Sequence, residues 1–88
     1  MDLKEYISGL NLHLTKSPID KLEKALIGIS YNEDGKIMTI INFFVERKRK
    51  VRVIDNQGNV YIRPLADYKD CEIIKLPKYT IEKEVSNN

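Results

Sequence analysis

One histidine, one cysteine and a run of cations are the residues of this chain whose types suit chemistry or recognition. His13 and Cys71 are of the kinds that make a base and its nucleophile. They stand far apart, however, and no Asp or Glu clusters around His13 to orient its ring. A Ser-His-Asp or Cys-His site needs that third group. His13 therefore reads as a partly exposed residue between Leu12 and Leu14, and Cys71 as a small core hydrophobe. A single His and a single Cys fall short of the ligand count of a zinc site. Asp67, Asp70 and Glu72 are hard-cation ligand types but lack calcium-loop spacing, and they read as solvated surface. Gly9, Gly28, Gly35 and Gly58 are too dispersed to cradle a phosphate. The expectation is a protein that is not an enzyme, with no catalytic residue, metal or cofactor.

The run Glu46-Arg47-Lys48-Arg49-Lys50-Val51-Arg52 points elsewhere. Five of its seven side chains are positive, in a chain whose formal net charge is only +2. Residues 1–45 carry five Lys against six acids, and residues 64–88 four Lys against five acids, so each flank has net charge −1. Residues 46–63 carry six Lys and Arg against two acids, a local charge of +4. A surface of interspersed signs does not concentrate charge in this way. Arginine presents a planar fork of donors suited to phosphate or carboxylate, and lysine a compact point charge. Candidate binding residues are Arg47, Lys48, Arg49 and Lys50, with Arg52, Tyr61 and Arg63 added by the strand pattern below.

Several elements must position these residues. Ser17-Pro18-Ile19-Asp20 combines a serine N-cap, proline at the first helical position and an acid in the first turn, so a helix should start at Pro18. Ile19, Leu22, Ala25 and Leu26 give it an apolar stripe ending near Ala25 to Gly28. Upstream, Leu3, Tyr6, Ile7 and Leu10 can share one face of another short helix. The alternation of Leu10, Leu12 and Leu14 with Asn11 and His13 fits a short extended piece equally well. Residues 26–31, the turn Asn32-Glu33-Asp34-Gly35 and the β-rich run 37–45 form a hairpin. The long strand is apolar on both faces, with Ile37, Ile41, Phe43 and Val45 opposed to Met38, Ile40 and Phe44.

The cationic run then reverses the chain between Val45 and Val51, or else residues 37–54 form one bent strand with a bulge near Arg47. A second hairpin joins residues 51–54 to 60–63 through Asp55-Asn56-Gln57-Gly58-Asn59. Loops of two or four residues pair Val53 with Ile62 and Arg52 with Arg63, which keeps apolar and polar side chains on separate faces. A three-residue loop would set Val53 against Tyr61 and mix them. The segregated register is the expected one. It makes Lys50, Arg52, Tyr61 and Arg63 continue the tip along one sheet face. Residues 64–70 read as a loop or single helical turn, Cys71 to Leu76 as a further strand ended by Pro77, and Ile81 and Val85 as a further short element.

Hydrophobic residues at 42% and charged residues at 32% of 88 residues describe one globular domain. The fold class is α+β: one or two short N-terminal helices and then an antiparallel meander of four to five strands, with an SH3-like or OB-like barrel as its leading shape. The domain spans residues 1–85, and residues 86–88 are a frayed tail. The chain begins without the pattern of a secretory signal, its lone cysteine cannot form an internal disulfide, and the nine-residue run Ile37 to Val45 is far too short to span a bilayer. A cytoplasmic location with no membrane partner follows.

Two functions fit. One is a small nucleic-acid-binding accessory or regulatory protein, contacting phosphates through the basic hairpin. The other is a protein-interaction module, an inhibitor or adaptor, that binds an acidic partner or pairs by a strand edge. A hairpin that merely guards a sheet edge with Lys and Arg competes with both. Self-association into a homo-oligomer suits either, because the long apolar strand exceeds what one short helix covers.

Overall fold

A computed structural model describes residues 1–68 and 71–77. Asp70 of the acidic cluster, Ile81, Val85 and the expected tail 86–88 lie outside the described residues. The protein is α+β: helices α1 (Leu3–Gly9) and α2 (Ile19–Leu26), strands β1 (Ser30–Glu33), β2 (Lys36–Glu46), β3 (Lys48–Ile54) and β4 (Val60–Pro64), a 3₁₀ turn (Leu65–Tyr68) and strand β5 (Ile73–Lys75).

Helix α1 forms because its first turn is capped from both directions. The Asp2 carboxylate accepts from the Glu5 N–H at 2.8 Å, and the Glu5 carboxylate accepts from the Asp2 N–H at 3.3 Å. Leu3, Tyr6 and Ile7 are buried, and the Tyr6 hydroxyl donates to the Ala25 carbonyl at 3.2 Å, tying α1 to α2. Helix α2 starts one residue later than expected, with Pro18 at its cap and no side chain capping it. Ser17 is engaged elsewhere: its hydroxyl accepts from the His13 N–H at 2.6 Å and closes the preceding turn. Gly28, at φ 99°, turns the chain out of α2 toward β1, and an added Cβ there would sit 3.4 Å from Pro77 Cα.

The five strands form one antiparallel sheet in the order β4-β3-β2-β1-β5. It is open, not a closed SH3-like or OB-like barrel. Strand β5 joins the sheet beside β1, so β4 and β5 are the outermost strands among the described residues, and the helices pack on the face that carries the core. Between β1 and β2, Asp34 and Gly35 carry φ of 51° and 84°, as a type I′ hairpin turn requires.

Strand β2 breaks the strict alternation read from its sequence. Its register with β3 shifts between Ile40 and Asn42, leaving Ile41 as a bulge. Met38 and Ile40 are buried before the bulge and Phe43 after it, so the inward parity changes partway along. These three pack with Leu22, Leu26, Ile29, Val51, Val53 and Leu65 in one core beneath the helices. Each such side chain stabilises the fold by about 1.5–3 kcal/mol. Among the described residues, no helix covers the opposite face of the sheet.

Candidate functional site

The chain does reverse at the cationic run. Glu46 pairs with Lys48, Val45 with Arg49, Phe44 with Lys50, Phe43 with Val51 and Asn42 with Arg52, so β2 and β3 form a hairpin rather than one bulged strand. Arg47 sits alone at the reversal with φ 64°, a left-handed conformation that costs a non-glycine residue roughly 1 kcal/mol. The ladder anchors this tip through Phe43 and Val51, both in the core.

The same register assigns each cation a side. Lys50 and Arg52 flank the buried Val51 in sequence and therefore face outward, on the uncovered side of the sheet. The Arg52 guanidinium lies 4.2 Å from the centroid of the Phe44 ring and donates to Asn42 Oδ1 at 2.6 Å. Lys50 approaches Glu46 at 3.6 Å, a loose pair whose glutamate is largely exposed. Arg49 points to the helix side, where its guanidinium donates to the Leu14 carbonyl at 3.0 Å and stitches the hairpin to the α1–α2 connection. Arg47 and Lys48 are exposed.

Tyr61 and Arg63 are not on the face of Lys50 and Arg52. Val53 pairs with Tyr61, Val51 with Arg63, and Arg52 with Ile62, which is the mixed register that segregation of polar and apolar residues disfavours. Two polar clusters outweigh that segregation. At the turn, Asp55 Oδ1 accepts from the backbone N–H groups of Gln57 and Asn59, both at 2.9 Å. Its Oδ2 accepts from Asn59 Nδ2 at 3.1 Å and from the Tyr61 hydroxyl at 3.0 Å. These bonds, the Asn59 backbone N–H foremost, hold the Asp55 carboxyl down at about 2.

The second cluster lies deeper on the helix side. Arg63 meets Glu33 with two hydrogen bonds, Nη2 to Oε2 at 3.0 Å and Nε to Oε1 at 3.3 Å. The Tyr68 hydroxyl donates to Glu33 Oε1 at 3.1 Å, and the Tyr31 hydroxyl donates to Tyr68 at 2.7 Å. The Arg63 hydrogen bond holds the Glu33 carboxyl below the usual carboxylate range. Burial pushes Tyr68 up to about 12 and raises Tyr31 as well. Tyr31 and Glu33 lie two apart on β1 and so share a face, whereas the sequence pattern places Glu33 in the turn. Nothing local linked them to Arg63 or Tyr68.

The outward register has a cost in apolar exposure. Val60 and Ile62 are 53% and 52% exposed, on the same face as Arg52. His13 Nδ1 lies 3.1 Å from the Thr15 hydroxyl in an exposed turn, and Cys71 packs half-buried against the core. Among the described residues, no group of three His, Cys, Asp or Glu side chains is placed to hold a metal ion, and no helix is long and apolar enough to cross a membrane. No family model, curated protein or solved structure matches this chain.

Proposed function

We propose that the protein is a small nucleic-acid-binding accessory or regulatory protein, and that the contact is made by the tip and outer face of the β2–β3 hairpin. The observation carrying this reading is the outward ladder of Lys48, Lys50 and Arg52 beside the exposed Arg47, on a hairpin whose register is anchored in the core. Among the described residues, Glu46 is the one acidic side chain that forms an ion pair within it. Phosphates attract such a patch, and the Arg52 guanidinium, held over the Phe44 ring, offers a charged plane to a nucleotide. Arg63 is neutralised by Glu33 and takes no part, and Tyr61 supports the turn through Asp55.

Fluorescence anisotropy with labelled single-stranded DNA, duplex DNA and RNA of ~20 nucleotides tests the reading. Four phosphate contacts to a single strand give a log–log salt slope near −3, or roughly 50-fold weaker binding at 200 mM than at 50 mM salt. Replacing Arg47 and Lys48 by Ser should lower that slope by about half. A slope near zero, or binding untouched by the double substitution, rules the proposal out.

A further inference from the structure

The helix-bearing side carries a second surface that the outer cationic face does not explain. Two grooves, of about 270 Å³ and about 340 Å³, adjoin there and share Leu14, Thr15 and Ala66 as their common wall. The first runs along α1 over Ile7 and Leu12, with Lys4 and His13 at its border. The second lies under the hairpin tip, walled by Val45, Pro64 and Leu65 and bordered by Arg47, Lys48 and Arg49. The hydrogen bond from Arg49 to the Leu14 carbonyl fixes the tip against the shared wall.

Charge identifies what this surface suits. Among the described residues, no Asp or Glu lines either groove, whereas four Lys and Arg residues do. The floor is aliphatic. Each groove lies near or below the lower end of the roughly 300–1,000 Å³ of small-molecule sites, a size for anchoring side chains rather than for a whole ligand. Two apolar clefts that share a wall suit the neighbouring apolar side chains that an amphipathic helix presents at i and i+3 or i+4. Among the described residues, neither groove presents a Phe, Tyr or Trp ring for a base to stack on.

We infer that the paired grooves dock an acidic amphipathic helix of a protein partner. Its apolar side chains enter the two clefts, and its carboxylates meet Lys4 at one end and Arg47 and Lys48 at the other. The inference stands without the nucleic-acid reading, although Arg47 and Lys48 border both surfaces.

Ala66 decides the matter, because it lines both grooves, is exposed on the 3₁₀ turn and belongs to neither the core nor the outer face. The probe is a fluorescein-labelled 18-residue peptide of Glu and Leu with leucines at i, i+3, i+4 and i+7. A scrambled peptide of equal composition and a labelled dT20 strand are the controls. The helical peptide should bind at least tenfold more tightly than the scrambled one. Ala66→Trp, whose bulk obstructs the wall shared by both clefts, and Ala66→Glu, which repels carboxylates with less bulk, should each weaken it at least tenfold while leaving dT20 binding unchanged. Circular dichroism identifies any variant that fails to fold, and the other then decides. Equal binding of both peptides, or peptide affinity indifferent to the folded variants, overturns the inference. A loss of dT20 binding in both folded variants overturns it too, since the grooves would then belong to the nucleic-acid site.

Discussion

The guanidinium of Arg63 meets the carboxylate of Glu33 at 3.0 Å although β3 and β2 both lie between their strands. Three interstrand intervals span about 14 Å in a flat sheet, more than two side chains bridge comfortably. The sheet must therefore curl toward its helix-bearing face, drawing β4 over Tyr31 and Tyr68. The same curl turns the face of Lys50 and Arg52 outward. The ion pair thus belongs to the scaffold and the outer arginine to the surface, although both are arginines of one antiparallel ladder.

Separating these roles is a matter of two substitutions. Arg63→Met should cost about 1–2 kcal/mol in urea unfolding, because Glu33 loses both charge-assisted hydrogen bonds while remaining partly solvated. A double-mutant cycle with Glu33→Gln should return a coupling of about 1 kcal/mol. Arg52→Ala should do the reverse, with little loss of stability but weaker nucleic-acid binding. If Arg63→Met weakened binding as much as Arg52→Ala at equal foldedness, Arg63 would have to reach the ligand.

Acid should open the β3–β4 turn late. Asp55 titrates at about 2 in the folded chain against an ordinary value near 3.9, so its contribution is fully present above that ordinary value and is lost as pH falls toward 2. Glu33, also lowered, acts in the same direction. The amide resonances of Gln57 and Asn59 should hold their folded shifts at pH 4 and move only below about pH 3, with half the change reached near pH 2. Asp55→Asn should remove that dependence. At the other extreme Tyr68, raised to about 12, favours the folded state below its ordinary value near 10 and ceases to do so as pH rises to 12. Alkaline unfolding should follow tyrosinate absorbance in that window.

The two faces of β4 give the register a direct check. Ile62 is 52% exposed beside Arg52, so Ile62→Thr should change stability by no more than about 0.5 kcal/mol. Tyr61 packs against the core and bonds Asp55, so Tyr61→Ala should cost about 2 kcal/mol or more. The segregated register would reverse this order, burying Ile62 and leaving Tyr61 in solvent.

That contrast shows where sequence suffices. Asp34-Gly35 specifies its own hairpin because two adjacent positive φ angles are a local demand that those residues meet. The capping pair Asp2 and Glu5 and the stripe of Leu3, Tyr6 and Ile7 mark α1 just as locally. The reversal at residue 47 was legible only as one of two geometries, since no turn former stands there. The bulge at Ile41 and the pairing of Val53 with Tyr61 have distant causes. Phe43 must reach the core below α2, and Arg63 and Tyr61 must reach Glu33 and Asp55. Segregation of polar from apolar residues fails as a guide there because the polar side chains have partners beneath the sheet. The cationic candidates were likewise visible as types, but their division between two faces depended on this register.

At Arg47 the fold and the proposed recognition ask for different residues. Its φ of 64° suits glycine, and a backbone-optimised turn would place glycine there. Arg47→Gly relieves roughly 1 kcal/mol of left-handed strain and gives back part of it by loosening the unfolded chain. The net effect on stability should be neutral to about 0.5 kcal/mol favourable, measured by thermal and urea unfolding. Binding should move the opposite way, with the salt slope for single-stranded nucleic acid falling by about 0.7 for the one lost phosphate contact. A variant that gains stability while losing salt-dependent affinity identifies the strained arginine as a residue retained for its charge. A variant that gains stability and keeps the full slope shows that the phosphate contacts begin at Lys48, and that the tip arginine contributes nothing to them.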